Sequence, residues 1–293
     1  MKSLRIAAVL FAVLELGCSS ATGPSTPPPE TGGPPASGDK ASCKRGIAYG
    51  YHSEADLTAL SPGVSWWYNW TVPPDAGVRS SYQRIGVEFV PMLWGQGSLT
   101  QNANNYPSDA RYLLAFNEPN FGSQANLTPQ QAATLWPQVE AIARAHNLKI
   151  VSPALNYCGG SCNKTDPFSW FDEFFAKCPG CQVDYLAVHW YACSQQALKG
   201  YIGQMKKYNR PIWLTEFSCL DQSDVSVPVQ KKYMQDAIAY LESEPAVFRY
   251  AWFSGRFDSK PSINLLGASG VLTELGHLYV TLPAPSCQAS SKT

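Results

Sequence analysis

Between residues 45 and 253 of this 293-residue chain, eight short apolar runs alternate with polar or helix-compatible segments. In chain order the runs are 45–51, 64–70, 88–94, 112–120, 149–154, 183–191, 211–219 and 247–253. Nearly continuous apolar character is typical of strands that are covered on both faces of a sheet. Between the runs, Thr128-Pro129 predicts the start of a helix that continues toward Ala145, and residues 229–243 have apolar side chains at helical spacing. Residues 276–279 suit a last helix.

Eight strands with helical crossovers in roughly 250 residues predict an α/β fold, a single (β/α)8 TIM barrel over residues 43–293. The alternative is an open doubly wound sheet, which usually has a glycine-rich phosphate-binding loop after its first strand. The sequence contains no G-x-G-x-x-G or P-loop pattern, so the barrel is favoured.

Two of the apolar runs end in a glutamate. The fourth run ends in Asn117-Glu118-Pro119, and Pro119 stops the strand there because it has no N–H for the sheet ladder. The seventh run carries Glu216 near its end. Since active sites of such barrels lie at the carboxyl ends of the strands, both glutamates are expected at one mouth. Two facing carboxyl groups about 5–5.5 Å apart are what a retaining glycosidase needs, one as acid/base and one as nucleophile.

Several polar and aromatic side chains also fall late in the predicted strands. Flat aromatic rings offer large rigid surfaces on which sugar rings can stack, although each ring could instead belong to the core. His189 and Tyr191 alternate with Trp190 and therefore share one face of their strand. The predicted substrate-binding residues are Asn117, Asn69, Trp67, Trp70, Trp94, His189, Tyr191 and Trp252.

Six segments resemble glycoside hydrolase family 128, the Asl1-like catalytic domain within the clan A glycosidases. They are residues 67–70, 89–95, 116–120, 187–191, 213–217 and 249–253. The resemblance implies a retaining (β/α)8 enzyme with Glu118 as acid/base and Glu216 as nucleophile. It also implies that Asn117 hydrogen-bonds the sugar 2-hydroxyl. The implied activity is hydrolysis of β-1,3-glucan without a metal or organic cofactor, and we expect an endo-acting monomer.

Two other functions are consistent with the same sequence. A non-catalytic glucan-binding surface protein would use the same groove, although the presence of both glutamates weighs against it. The same chemistry on another β-glycan, such as β-1,4-glucan or mannan, is the nearer alternative. The formal net charge is zero, so nothing favours nucleic acid as a partner.

The N-terminus predicts export. Lys2 and Arg5 precede an apolar run at residues 6–14, which is too short to span a bilayer, and residues 1–17 are therefore interpreted as a signal peptide. The end at Gly17-Cys18 resembles a bacterial lipoprotein signal, in which Cys18 would carry a lipid anchor. Plain secretion is the alternative, because Glu15 stands where that signal normally has an apolar residue. Residues 18–42 are rich in proline, glycine and serine and predict a disordered tether. The expected location is secreted or cell-surface.

Cysteine usage supports an oxidising compartment. The chain has nine cysteines, and eight remain when Cys18 is set aside. The hypothetical disulfides are Cys158–Cys162, Cys178–Cys181, Cys193–Cys219 and Cys43–Cys287. The alternative is a zinc site, because the first two of these pairs form a C-x3-C…C-x2-C pattern.

Overall fold

One parallel sheet, with helical segments between most of its successive strands, organises the computed structural model, which describes residues 42–284. The strands are β1 (Arg45–Ala48), β2 (Trp66–Tyr68), β3 (Glu88–Phe89), β4 (Met92–Leu93), β5 (Tyr112–Ala115), β6 (Lys149–Leu155), β7 (Tyr185–Trp190), β8 (Ile212–Phe217) and β9 (Val247–Phe253). The α-helices are α1 (Glu54–Leu60), α2 (Tyr82–Ile85), α3 (Pro129–Ala145), α4 (Pro167–Lys177), α5 (Gln195–Met205), α6 (Val227–Ser243) and α7 (Glu274–Thr281).

The order of strands in the sheet is β3-β2-β1-β9-β8-β7-β6-β5-β4, and every pairing is parallel. The sheet is curled, and its two outer strands, β3 and β4, are consecutive in the chain with only Val90 and Pro91 between them. Val90 N donates to Trp67 O at 3.0 Å, whereas Pro91 O accepts from Leu114 N at 3.0 Å. Pro91 has no N–H, which explains why the predicted third strand is divided in two. Of the predicted (β/α)8 barrel, an α/β barrel-like fold with a curled parallel sheet is confirmed.

Helix α3 begins where its sequence predicts. Thr128 is the N-cap, its hydroxyl accepts from Gln131 N, and the Gln131 side chain accepts from Thr128 N, which completes a capping box. Pro129 occupies the first helical turn, where its missing N–H costs nothing, and the helix ends at Ala145 as predicted. The predicted helix at 229–243 starts two residues earlier, at Val227.

Side chains divide between the two faces of the sheet because successive strand residues point in opposite directions. Trp66 and Tyr68 of β2 are buried inside the curled sheet, together with Trp213 of β8. Trp67, between them in sequence, faces the helices instead and packs against Phe89 with ring centroids 4.6 Å apart. The interior thus combines large aromatic side chains with smaller aliphatic ones, and Glu118 and Glu216 lie toward the carboxyl ends of the strands.

Three disulfides join cysteines that the sequence paired hypothetically. They are Cys158–Cys162, Cys178–Cys181 and Cys193–Cys219, so these three predictions are confirmed. The zinc alternative is wrong, because the four sulfurs that it required are consumed in disulfides. Cys193–Cys219 joins the segments that follow β7 and β8 and so fixes the relative positions of two strand ends.

Other predictions concern residues that the structure does not describe. The signal peptide at 1–17, Cys18, the tether at 18–42 except its last residue, and Cys287 all lie outside the described range. Within residues 42–284, no helix combines the length and the apolar character that a membrane span requires.

Candidate active site

Glu118 and Glu216 lie at one cleft at the carboxyl ends of the strands. Glu118 follows β5, Glu216 is the fifth residue of β8, and their exposed fractions are only 8% and 5%. The cleft is lined by Trp70, Trp94, Asn117, Glu118, Gln124, Tyr191, Glu216, Phe253 and Phe257. Two carboxyl groups thus share one small, largely aromatic surface with two amide side chains.

A single buried histidine contacts both carboxyl groups. His189 Nδ1 lies 3.0 Å from Glu118 Oε1 and 3.5 Å from Glu216 Oε2. These two oxygens are therefore at most 6.5 Å apart, the sum of the two distances. Burial lowers the pKa of His189, but attraction to Glu216 and the hydrogen bond and charge of Glu118 outweigh it, so the pKa is raised from its usual value. The two neighbouring carboxyl groups thus favour the protonated form of the imidazole.

Hydrogen-bond donors surround the carboxylate of Glu216. Tyr68 OH and Trp70 Nε1 each donate to Oε1 at 2.8 Å, and Tyr191 OH donates to Oε2. Burial and the charge of Glu216 raise the pKa of both tyrosines well above the usual value, so both hydroxyls keep their protons as donors. Three donors, two on Oε1 and one on Oε2, hold the carboxyl group of Glu216 in a fixed orientation.

Glu118 has different surroundings from Glu216. Its side chain bonds to His189 alone among the protein groups described, and its backbone has a φ of +40°, with +61° at Phe116. Non-glycine residues rarely adopt positive φ, and such conformations concentrate at functional sites. Bonds to β6 hold the segment in place, because Glu118 N donates to Ala154 O at 2.9 Å and Ala154 N donates to Phe116 O at 3.0 Å.

Asn117 brings an amide to the cleft beside Glu118. Its Nδ2 donates to Gln124 Oε1 at 3.2 Å, while its buried Oδ1 has no partner among the described groups. A buried oxygen without a donor is costly unless a ligand supplies one. Gln124 is not among the predicted site residues, and its position six residues after Glu118 is the one feature of the sequence that points to it.

Trp67 and Trp252 do not reach the cleft, which corrects the prediction that they bind substrate. Both are fully buried on the helix side of the sheet. Trp252 Nε1 donates to Ile263 O at 2.9 Å, so the indole is anchored in the core. Strand alternation places the next residue, Phe253, at the cleft instead.

Asn69 is also absent from the cleft lining, and its amide is used within its own loop. Its Nδ2 donates to Asp75 Oδ1 at 2.7 Å, and its Oδ1 accepts from Thr71 N at 3.2 Å. Trp70, between Asn69 and Thr71 in the chain, has a φ of +60°, and its Nε1 donates to Glu216. Asn69 therefore positions Trp70. His189, predicted to line a subsite, instead lies fully buried against both carboxyl groups.

The raised pKa of His189 predicts a pH-dependent component of stability. A raised folded-state pKa gives a contribution that is complete below the unfolded pKa of about 6.5 and is lost as pH rises through the folded pKa. The stability advantage of wild type over His189→Gln should therefore shrink as pH rises above about 6.5. Denaturant unfolding of both proteins across this range measures it. The exposed His277 provides a surface control: an effect of His277→Gln on the slope as large as that of His189→Gln, or an advantage of wild type that grows with pH, would contradict the expectation.

A curled parallel sheet with two buried carboxyl groups at its carboxyl edge is the arrangement of a glycoside hydrolase, and comparisons agree. Residues 46–279 match the family model described as glycosyl hydrolase catalytic core. A subgroup II endo-β-1,3-glucanase of glycoside hydrolase family 128 from Sorangium cellulosum is 51% identical, covers 83% of this chain and 99% of its own, and has a TM-score of 0.79. The corresponding enzyme of Pseudomonas viridiflava is 40% identical, with coverage of 83% and 99% and a TM-score of 0.76.

The chain therefore belongs to glycoside hydrolase family 128. Alkali-sensitive linkage protein 1 of Schizosaccharomyces pombe is a more distant relative, 29% identical over 252 residues. That match covers 81% of this chain but only 44% of the yeast protein, so this chain spans less than half the length of that relative.

Proposed function

We propose that this glycoside hydrolase cleaves internal linkages of β-1,3-glucan with retention of configuration. Glu216 is the nucleophile and Glu118 the acid/base. The observation that carries the assignment is the unequal environment of the two carboxyl groups. Glu216 accepts hydrogen bonds from three donors, whereas the Glu118 side chain hydrogen-bonds only to His189 among residues 42–284. Such enzymes separate the two roles by placing the two carboxyl groups in different environments.

In the first step, the protonated Glu118 donates its proton to the glycosidic oxygen while the carboxylate of Glu216 bonds to the anomeric carbon. The bond between that carbon and the glycosidic oxygen breaks, and one glucan fragment leaves with a new hydroxyl. The product is a glycosyl ester on Glu216. The separation of at most 6.5 Å between the nearer carboxyl oxygens supports this scheme, because inverting enzymes need room for a water molecule between them.

In the second step, Glu118 takes a proton from a water molecule whose oxygen attacks the anomeric carbon. The ester bond to Glu216 breaks, and both carboxyl groups return to their first state. Across the two steps the negative charge moves from Glu216 to Glu118 and back. His189 Nδ1 is within 3.5 Å of both groups, so the imidazole faces the anion in either state.

Asn117 and the cleft aromatics are the proposed sugar contacts. Asn117 lines the cleft beside Glu118 and is the proposed hydrogen-bond partner of the sugar 2-hydroxyl next to the reacting carbon. Trp70, Trp94 and Tyr191 line the cleft and offer apolar surface to the ring. These assignments use the residues that the strand ends bring together. They require no metal or organic cofactor.

Solved relatives support the choice of substrate. An endo-β-1,3-glucanase of Amycolatopsis mediterranei, 30% identical with a TM-score of 0.68, was crystallised with laminaritriose. Variants of that enzyme with a glutamate replaced are in complex with laminarihexaose or with laminaritriose and laminaribiose. A subgroup III enzyme of Blastomyces gilchristii is a curdlan-specific exo-β-1,3-glucanase at 31% identity. We favour endo action because the relatives at 51% and 40% identity are endo-acting.

We also propose how the sheet closes, which residues form the catalytic domain and where the enzyme is located. We infer that β3 and β4 together form one strand, which closes an eight-stranded (β/α)8 barrel, because the linking residues bond to both β2 and β5. Residues 43–293 then form the catalytic domain of a monomer, behind a signal peptide at 1–17 and a tether at 18–42. Three disulfides favour a secreted or cell-surface enzyme, and Cys18 is the proposed lipid anchor if the signal is of the lipoprotein type.

The test is hydrolysis of a substrate panel. We expect new reducing ends and a ladder of short oligosaccharides from laminarin and curdlan, with little product from β-1,4-glucan or mannan. Glucose alone as the first product would contradict endo action. Equal or greater activity on β-1,4-glucan or mannan would overturn the substrate. Binding of laminarin by folded protein without any cleavage would instead indicate a glucan-binding protein.

A further inference from the structure

Large apolar side chains that are exposed to solvent are few within residues 42–284. They are Tyr51, Tyr157 and Val271, with exposed fractions of 90%, 47% and 54%. Both tyrosines follow the carboxyl end of a strand, β1 for Tyr51 and β6 for Tyr157, and therefore lie at the same end of the sheet as the cleft. Four strand positions separate β1 from β6 along the order β1-β9-β8-β7-β6, so the two tyrosines follow strands in well-separated parts of the curled sheet.

The side chain of Tyr51 is exposed, but contacts of the neighbouring residues fix its backbone. Its backbone has a φ of +65°, which is unusual for a residue with a large side chain. The next residue, His52, donates its backbone N–H to Asp75 Oδ2 at 3.0 Å. Asp75 also accepts from Asn69, next to Trp70, whose indole bonds to Glu216. The segment that exposes Tyr51 is therefore connected, through Asp75, to the loop whose Trp70 bonds to Glu216.

Tyr157 is connected in the same way to the segment that carries Glu118. Its ring packs against Tyr201 and Phe168, with centroid distances of 5.5 and 6.3 Å, so one side is supported while almost half of the side chain stays exposed. The carbonyl of the preceding Asn156 accepts from Asn120 Nδ2 at 2.8 Å, two residues after Glu118. The disulfide that starts at the next residue, Cys158, restrains the same loop.

We propose that Tyr51 and Tyr157 are sugar-stacking platforms that bind glucosyl units of a linear β-1,3-glucan on the two sides of the cleft. This inference rests on the proposed function and adds to it that the bound chain extends beyond the cleft in both directions. A rigid ring whose backbone is already fixed loses little conformational freedom when it binds, which suits repeated weak contacts with a polymer. Platforms on both sides require a chain that continues past the reacting linkage at each end, as endo action does.

The experiment compares alanine and phenylalanine at each tyrosine, on a long and a short substrate. Tyr51→Ala and Tyr157→Ala should each lower kcat/KM for laminarin about two- to tenfold, mainly through a higher KM, and should lower it less for laminaritriose. Tyr51→Phe and Tyr157→Phe keep the ring face and should restore most of the loss. Val271→Ala removes the third exposed apolar side chain, which has no ring face to stack on, and should leave both substrates unaffected.

Several results would overturn the inference. One is that the alanine variants have the same kcat/KM for laminarin as Val271→Ala. Another is that their kcat/KM falls by the same factor on both substrates. Phenylalanine variants as weak as the alanine variants would also contradict stacking, since the ring face is retained. Thermal unfolding of each variant separates lost binding from lost stability, because Tyr157 also packs against its neighbours. Failure of the proposed function is distinct, since wild type would then not hydrolyse laminarin at all.

Discussion

Glu216→Gln is expected to lower kcat for laminarin by at least about 10⁴-fold, because the amide cannot form the glycosyl ester on which both steps depend. Glutamine has nearly the same shape and keeps one oxygen to accept from Tyr68 and Trp70, so the variant should fold. Reducing-end assays at high protein concentration set the limit on residual activity. Thermal unfolding of the variant checks that the lower kcat does not result from lower stability.

A matched control lies on the surface of helix α7. Glu274 pairs with Lys231 and its side chain is 69% exposed, so Glu274→Gln removes one carboxylate without touching the cleft. Its kcat should stay within about twofold of wild type, as is usual for a surface substitution. If Glu216→Gln keeps more than a few per cent of wild-type activity, the nucleophile is another group.

Glu118→Ala should give a different kinetic signature. We expect its kcat on laminarin to fall by about 10²–10⁴-fold, because neither the leaving oxygen nor the attacking water has a proton partner. An aryl β-laminaribioside with an acidic phenol needs little help to leave, so the glycosyl ester on Glu216 should form and accumulate. Azide ions should then accelerate turnover, since azide attacks the ester without general-base help.

The configuration of the azide product distinguishes the two carboxyl roles. Glu118→Ala should yield a β-glycosyl azide, because attack on the ester inverts the anomeric carbon a second time. No acceleration by azide, or an α-glycosyl azide from this variant, would contradict the assignment of Glu118 as acid/base. Proton NMR of the isolated azide gives the configuration directly.

Sequence patterns predicted the strand ends better than the directions of individual side chains. Pro119 marks the end of the run that carries Glu118, although β5 itself ends at Ala115, and Glu216 comes shortly after the apolar residues 212–214, so both carboxyl groups could be placed at one edge. The same patterns gave no way to decide which alternate residues of a doubly covered strand face inward. Trp67 and Trp252 were placed on the wrong face for that reason.

Contacts within loops account for the rest of the differences. Asn69 belongs to a short run whose end folds back on itself, and its bond to Asp75 depends on backbone angles that the sequence does not specify. Gln124 reaches the cleft only because the segment after Glu118 turns back toward Asn117. His189 lies beside both carboxyl groups because the register of β7 against β8 pairs it with Glu216, and the sequence does not specify that register.

The most direct test of a nucleophile and an acid/base acting in two successive displacements is the anomeric configuration of the first product. Hydrolysis of a linear β-1,3-gluco-oligosaccharide can be followed by proton NMR from the moment that enzyme is added. The two-step scheme through Glu216 predicts that the new reducing end appears as the β-anomer and converts to the α-anomer only by slow mutarotation. Initial appearance of the α-anomer would show a single displacement by water and would contradict the assignment of Glu216 as a nucleophile.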